Sequence, residues 1–266
     1  PLRLRSLVFV STLAGVGWLG ADTLGFLAGG VLLLALFVWI ESRVAHPLLP
    51  LRVVMHRVRA GAYLIQAIIG SVLIGTTLYM TLHLQLVLGM APLMAGLATV
   101  VMTVSTLVVV PVFTRLLAVS GPRPLMVGGP LLAAAGMVWL GRITADGNYV
   151  TQMLPGLILL GAGIGITFVP LQNLALIGVA PADAGAASAT VNASMQLGGS
   201  VGLSLFALVA ASATATAQSA GEGISASLAA GYGLVFTSAA IALLVAAVVA
   251  FICIRGTKEG LMPSHA

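Results

Sequence analysis

Charge is what this sequence has least of. Its 266 residues include 6 acids and 11 Lys and Arg, so only 6% are charged, where a soluble globule carries charge on about 25%. With 60% hydrophobic residues and a mean hydropathy of +1.16, that scarcity excludes an ordinary water-soluble fold. Cysteine is nearly absent too: Cys253 is the single thiol, which excludes a disulfide within the chain and a cysteine-built metal centre. Alternation of apolar and polar residues over strand-length segments is also missing. That removes the closed barrel, the other architecture able to satisfy its backbone inside a bilayer.

The acids are Asp22, Glu41, Asp146, Asp183, Glu222 and Glu259, and each stands at the end of an apolar run or between two runs. An ionisable group at mid-depth costs about 2.5–3.5 kcal/mol on insertion scales and marks ion or proton pathways. The chain by itself therefore shows no proton-relay carboxylate. Ser/His/Asp, Cys/His and HExxH arrangements at a plausible depth are lacking, as is a GxxxxGK[ST] loop for nucleotide. His46 and His56 have no Cys or acid cluster beside them. The reading is a non-enzyme without metal or cofactor.

What is there is a series of long apolar runs. A hydrocarbon core about 30 Å thick needs about 20 apolar residues per helical crossing. The runs place crossings at Leu7–Gly20, Leu24–Ile40, Ala60–Leu82, Leu93–Phe113, Leu125–Leu140, Leu154–Ile177, Ala187–Val209 and Tyr232–Ile254. The expected fold is thus an all-α polytopic membrane protein of about eight spans. The first run is short, and spans only with Arg3 and Arg5 snorkelling or as the remainder of a longer helix. A leader peptide is the competing reading of this start.

Basic residues then orient the helices. Arg3, Arg5, Arg43, Arg52, Arg57, Arg59, Arg115, Arg123, Arg255 and Lys258 fall on one side when eight spans alternate, and Arg142 on the other. The positive-inside rule puts the first group, and both termini, in the cytoplasm. The pI near 10.2 is on this reading a topology signal, with no nucleic acid implied. Residues 42–59 read as a basic cytoplasmic linker broken by Pro47 and Pro50, either a topological anchor or an anionic-lipid contact. The segment SATATAQSAGEGISAS reads as an outer loop.

Uncharged polar residues do enter the membrane. Ser188, Asn192, Gln196, Ser200 and Ser204 recur at i, i+4, and so do Thr190, Ser194, Gly198 and Gly202. At about 100° per residue, one side of this helix offers hydrogen-bonding groups and the other is nearly flat. Gly198 and Gly202 form a GxxxG step that admits a neighbouring backbone; Gly161 and Gly165 form another, followed by Pro170 as an expected kink with Gln172 and Asn173 beyond. Gln66, Gly70 and Thr77 share a face that Thr81 and Gln85 continue outward. Asn192 and Gln196 serve either as interhelical hydrogen-bond partners or as cavity lining. Asp183, after Pro181, is placed to cap the helix that follows. His83 reads as packing near the outer interface, with a proton role as the alternative.

Four segments in order resemble one family. The run DAGAASATVNASMQLGGSVG resembles the eleventh-helix signature of the fourteen-spanner drug:proton antiporters, a branch of the major facilitator superfamily. ESRVAHPLLPLR resembles the linker into that family's second bundle, LHLQLVLGMAPLMAGL the turn between the bundle's first two helices, and PVFTRLLAVSGPRPLMVGG the basic cytoplasmic loop after them, with Arg115, Gly121 and Arg123 matching. Ala118 and Val119 stand where the family commonly has an Asp-Arg pair, and Met195 where it often has Arg.

The resemblance implies two central helices in residues 1–41, the linker 42–59, the C-terminal six-helix transporter bundle in 60–256 and a cytoplasmic tail in 257–266. It further implies a bacterial inner-membrane exporter of small hydrophobic or cationic compounds, driven by protons, whose N-terminal six-helix bundle and coupling acids lie outside this chain. In that role Gln66, Thr77, Asn173, Asn192 and Gln196 line the cavity, and Gly161, Gly165, Pro170, Gly198 and Gly202 serve helix packing and gating. A major facilitator importer of a polar solute and an inactive membrane remnant are the alternatives.

Overall fold

A computed structural model describes residues 56–180 and 183–254, together with scattered positions between 25 and 43. The chain divides into two units, residues 1–51 and 52–266. In the first, the described residues from 25 to 40 are helical. The Arg43 guanidinium lies 5.0 Å from the centre of the Trp39 ring, a cation–π contact suited to a membrane–water boundary. The expected span Leu7–Gly20, most of the linker and the tail lie outside the described residues.

Among its described residues, the second unit is a bundle of six helices: α1 Arg57–Leu82, α2 Pro92–Ser120, α3 Pro122–Leu140, α4 Leu154–Ala175, α5 Ala184–Ser219 and α6 Ile224–Cys253. Each is long and apolar enough to cross a membrane, counting the π-helical turns His83–Val87 after α1 and Tyr149–Met153 before α4. No strand occurs among the described residues.

Two expected loops are helix instead. SATATAQSAGEGISAS, read as an outer loop, is mostly the end of α5 and the start of α6, and only residues 220–223 connect them. Ala, Ser, Thr and Gln are polar or small but compatible with helix, Ala being the strongest helix former; the chain turns where Gly221 reaches φ 88°. The 36-residue α5 is therefore about 54 Å long and projects beyond the hydrocarbon core. The basic loop after α2 likewise shrinks to Gly121, whose φ of 76° reverses the chain between Ser120 and Pro122.

Packing makes the bundle two rows deep. The front row runs α2, α4, α1, α5; α3 and α6 lie behind it, α3 against α4 and α6 against α1 and α5. One large apolar core joins α1, α3, α4 and α6 through Met80, Leu84, Met137, Leu140, Leu157, Leu160 and Phe236. A second core near the other end contains Ile65, Ile69, Met126, Leu171, Leu174 and Ala250.

Cations seal that second end. Arg59, buried, donates to the Ile177 carbonyl at 2.6 Å, and Tyr63 one turn later donates to Ala175 at 3.2 Å. Arg57 donates to Ile252 at 2.8 Å, and the Arg123 guanidinium sits 4.9 Å from the Phe251 ring centre. Arg57 and Arg59 thus each reach a carbonyl at a helix C-terminus, the negative end of its dipole.

Candidate functional site

The polar helix singled out by sequence, α5, is held by its flat side. A Cβ at Gly198 would collide with the Ala67 carbonyl, one at Gly70 with the Met195 carbonyl, and one at Gly202 with Ser71. The α1 and α5 backbones are therefore in direct contact. Ser71 Oγ donates across this seam to the Gly198 carbonyl at 2.5 Å. The bulk of Gln196 does not obstruct the contact, because two residues of helix turn its side chain about 200° away from the Gly198 direction.

The other side of α5 is open. Ser188, Asn192, Gln196, Ser200 and Ser204 are all exposed, in a row that drifts about 40° per step around the helix. On α1 itself there is an open groove of about 570 Å³ lined by Leu73, Ile74, Thr77, Leu78 and Thr81. Contacts of Gly199 with Ile74 and of Gly75 with Phe206 set Ser200 and Ser204 at the depth of this groove.

A parallel seam joins α2 to α4. Gly161 abuts the Met102 carbonyl and Gly165 abuts Thr106, while Thr106 Oγ1 donates to the Gly161 carbonyl at 2.8 Å and Ser105 Oγ to Ile158 at 2.8 Å. Gly163, about 200° round the helix from Gly161, faces α3 and abuts Ala133, and Gly156 meets Gly136 on the same side. Both seams predicted from GxxxG steps form close backbone contacts; the α3–α4 seam rests on glycines seven apart.

Of the residues expected to line a cavity, the structure brings Thr77, Asn192 and Gln196 to the open face. Gln66 lies inside the α1–α5 seam, 3% exposed, with Nε2 3.3 Å from Met195 Sδ and Oε1 without a partner. Asn173 is exposed near the end of α4, away from the groove residues. Pro170 is buried within α4, where its missing N–H leaves the Ile166 carbonyl without its helical donor. Arg115 is exposed on the last turns of α2. Asp183 precedes α5, but its backbone is αR rather than extended and its side chain makes no capping hydrogen bond, contrary to the expected N-cap.

His83 is more buried than an interfacial residue, at 1% exposure in the π turn, edge-on to Tyr232 with ring centres 6.3 Å apart. No sequence signal announces the π turn that carries it. Among the described residues no group of three His, Cys, Asp or Glu is placed to hold a metal. The described acids Asp146, Asp183 and Glu222 stand in connections, so the open face carries polarity without charge.

No family model matches the chain. It is 40% identical to the puromycin resistance protein pur8 of Streptomyces alboniger over 76% of this chain and 41% of that protein. It is 34% identical to the cephamycin export protein CmcT of Amycolatopsis lactamdurans over 87% of this chain and 47% of the relative. The tetracenomycin C resistance and export protein of Streptomyces glaucescens is 32% identical over 73% of this chain and 36% of its own length. The chain thus spans less than half the length of these curated relatives. A multi-pass bundle of apolar helices and these similarities together assign the chain to the major-facilitator-type multidrug and antibiotic resistance export family of bacterial membrane proteins.

Proposed function

We propose that the chain supplies one wall of the substrate path of a proton-coupled exporter that works by alternating access, in the fourteen-span branch of the family. The observation that carries this reading is the two-sidedness of α5: glycines fasten one face to α1, and Asn192, Gln196, Ser200 and Ser204 stay exposed away from those contacts. An exposed polar row on a membrane helix is costly against lipid and is at home against water or a second bundle. On this reading the opposing bundle brings the proton-titrating acid, and the glycine seams let the front helices shift against their neighbours.

The test is export. A chimera joins this chain to the part of the puromycin resistance protein outside the matched region, and cells carrying it are scored for puromycin tolerance at equal membrane abundance. Gln196→Ala is expected to lower tolerance roughly three- to tenfold, the worth of one hydrogen bond, while Ser219→Ala, at the far end of α5, leaves it unchanged. Full tolerance in the Gln196 variant overturns the assignment.

The proposed orientation has both termini in the cytoplasm. In a Cys253→Ala background, Asp146→Cys in the α3–α4 connection should react with an impermeant maleimide on whole cells and Ser120→Cys should not. The reverse pattern contradicts the orientation.

A further inference from the structure

We propose that the end of α6 seats the headgroup of an anionic phospholipid between Arg57 and Arg123, with the lipid's acyl chains along the exposed stripe of the same helix. The two guanidiniums are fixed on consecutive residues of one helix terminus. Arg57, from the start of α1, donates to the Ile252 carbonyl at 2.8 Å; Arg123, from the start of α3, lies 4.9 Å from the Phe251 ring centre. A Cβ at Gly61 would abut Cys253, so α1 meets α6 on the Cys253 side, while Arg123 approaches on the Phe251 side. The Ile252 side chain projects midway between those directions, about 100° from each. It is exposed, as is Phe251. The arginines therefore frame the outward side of the helix end.

Further down α6 that outward side is apolar. Ile241, Val245, Val248 and Ile252 recur at i, i+4, i+7 and i+11 and are all exposed, a stripe about 16 Å long that the bundle leaves uncovered. Charge at this end is one-sided. Among the described residues of the second unit, the helix ends gathered there carry Arg57, Arg59, Arg115 and Arg123 against the carboxylate of Asp183, and Arg59 is buried on the Ile177 carbonyl. The Ile252 carbonyl takes one of the several N–H donors of Arg57, and an aromatic face attracts a cation without neutralising it. Both guanidiniums thus keep charge and donors for a further acceptor. A phosphodiester supplies negative charge and accepts parallel N–H bonds from a guanidinium. A zwitterionic headgroup brings an ammonium that the arginines repel. Free phosphate would match the arginines but has nothing to lay on the stripe, so lipid is the source this surface fits.

The full chain is purified in detergent and titrated with palmitoyl-oleoyl phosphatidylglycerol or with phosphatidylcholine of the same chains, and bound lipid is counted by native mass spectrometry. Phosphatidylglycerol should bind saturably and roughly tenfold more tightly than phosphatidylcholine. Arg57→Gln and Arg123→Gln should each weaken it about fivefold, whereas Arg115→Gln, which removes the same charge from α2, should leave it unchanged. Glycerol phosphate in large excess should not displace the lipid. Melting temperature without added lipid checks that each variant is folded; should Arg57→Gln lose its fold with the Ile252 bond, Arg123→Gln reads the site by itself. Equal binding of the two lipids, equal losses in all three variants, no loss in the variants facing α6, or displacement by glycerol phosphate overturns the proposal.

Discussion

Gly198→Leu should abolish recovery of the folded protein from detergent. The Cβ of any side chain at this position meets the Ala67 carbonyl, a backbone atom that no rotamer change can move aside. The α1–α5 seam would have to open, taking with it the 2.5 Å hydrogen bond from Ser71 to the Gly198 carbonyl and the neighbouring contacts of Gly70 and Gly202. Overpacking of a well-filled site costs about 1–3 kcal/mol and more where backbone must shift, and membrane helices have no hydrophobic drive between them to compensate. Gly163→Leu, against the Ala133 backbone, should behave alike, whereas Gly128→Leu and Gly185→Leu meet nothing within 4 Å and should be tolerated. Size-exclusion yield and melting temperature in detergent check this; Gly198→Leu with the yield and melting temperature of Gly128→Leu would show that the close seam does not hold the bundle.

The contrast between these glycines shows which features were legible in the sequence. Gly198 and Gly202, or Gly161 and Gly165, stand four apart, so one helix face is visibly flat and its opposite face visibly polar. The spacing of Asn192, Gln196 and Ser200 then turns them about 120–200° from Gly198, and the structure leaves them exposed. Gly129 with Gly136, and Gly156 with Gly163, stand seven apart; two turns of helix separate them, yet they line the α3–α4 contact on both sides. That repeat was present in the sequence but is masked by the denser glycines around it.

Other features depend on partners remote in the chain. Gln66 has the helical register of Thr77, but its depth is set by Met195 on α5, 129 residues away, so one residue is buried and the other exposed. The ends of α5 and α6 were obscured by composition: a run of Ala, Ser and Thr is hydrophilic enough to suggest a loop and helical enough to extend two spans. Arg57, Arg59 and Arg123 were read as a charge tally for orientation. Their specific tasks, closing the ends of α4 and α6 and packing on Phe251, follow only from where those helices stop.

The central claim is that the open face of α1 and α5 meets water in the working transporter, while the exposed face of α6 meets lipid. Both faces are exposed in the bundle, Leu244 by 44% and Val248 by 55%, so exposure alone does not separate them and chemistry must. A thiol reacts with a methanethiosulfonate as its thiolate, which forms only where water reaches. In the chimeric transporter with Cys253→Ala, an impermeant methanethiosulfonate bearing a quaternary ammonium is applied to membranes open on both sides. The account predicts that Thr77→Cys and Gln196→Cys are modified at rates within about a hundredfold of the connection variant Asp146→Cys, and that Leu244→Cys and Val248→Cys stay unmodified. Unreactive thiols at both Thr77 and Gln196, alongside a reactive Asp146→Cys, would place that face in lipid and contradict the account.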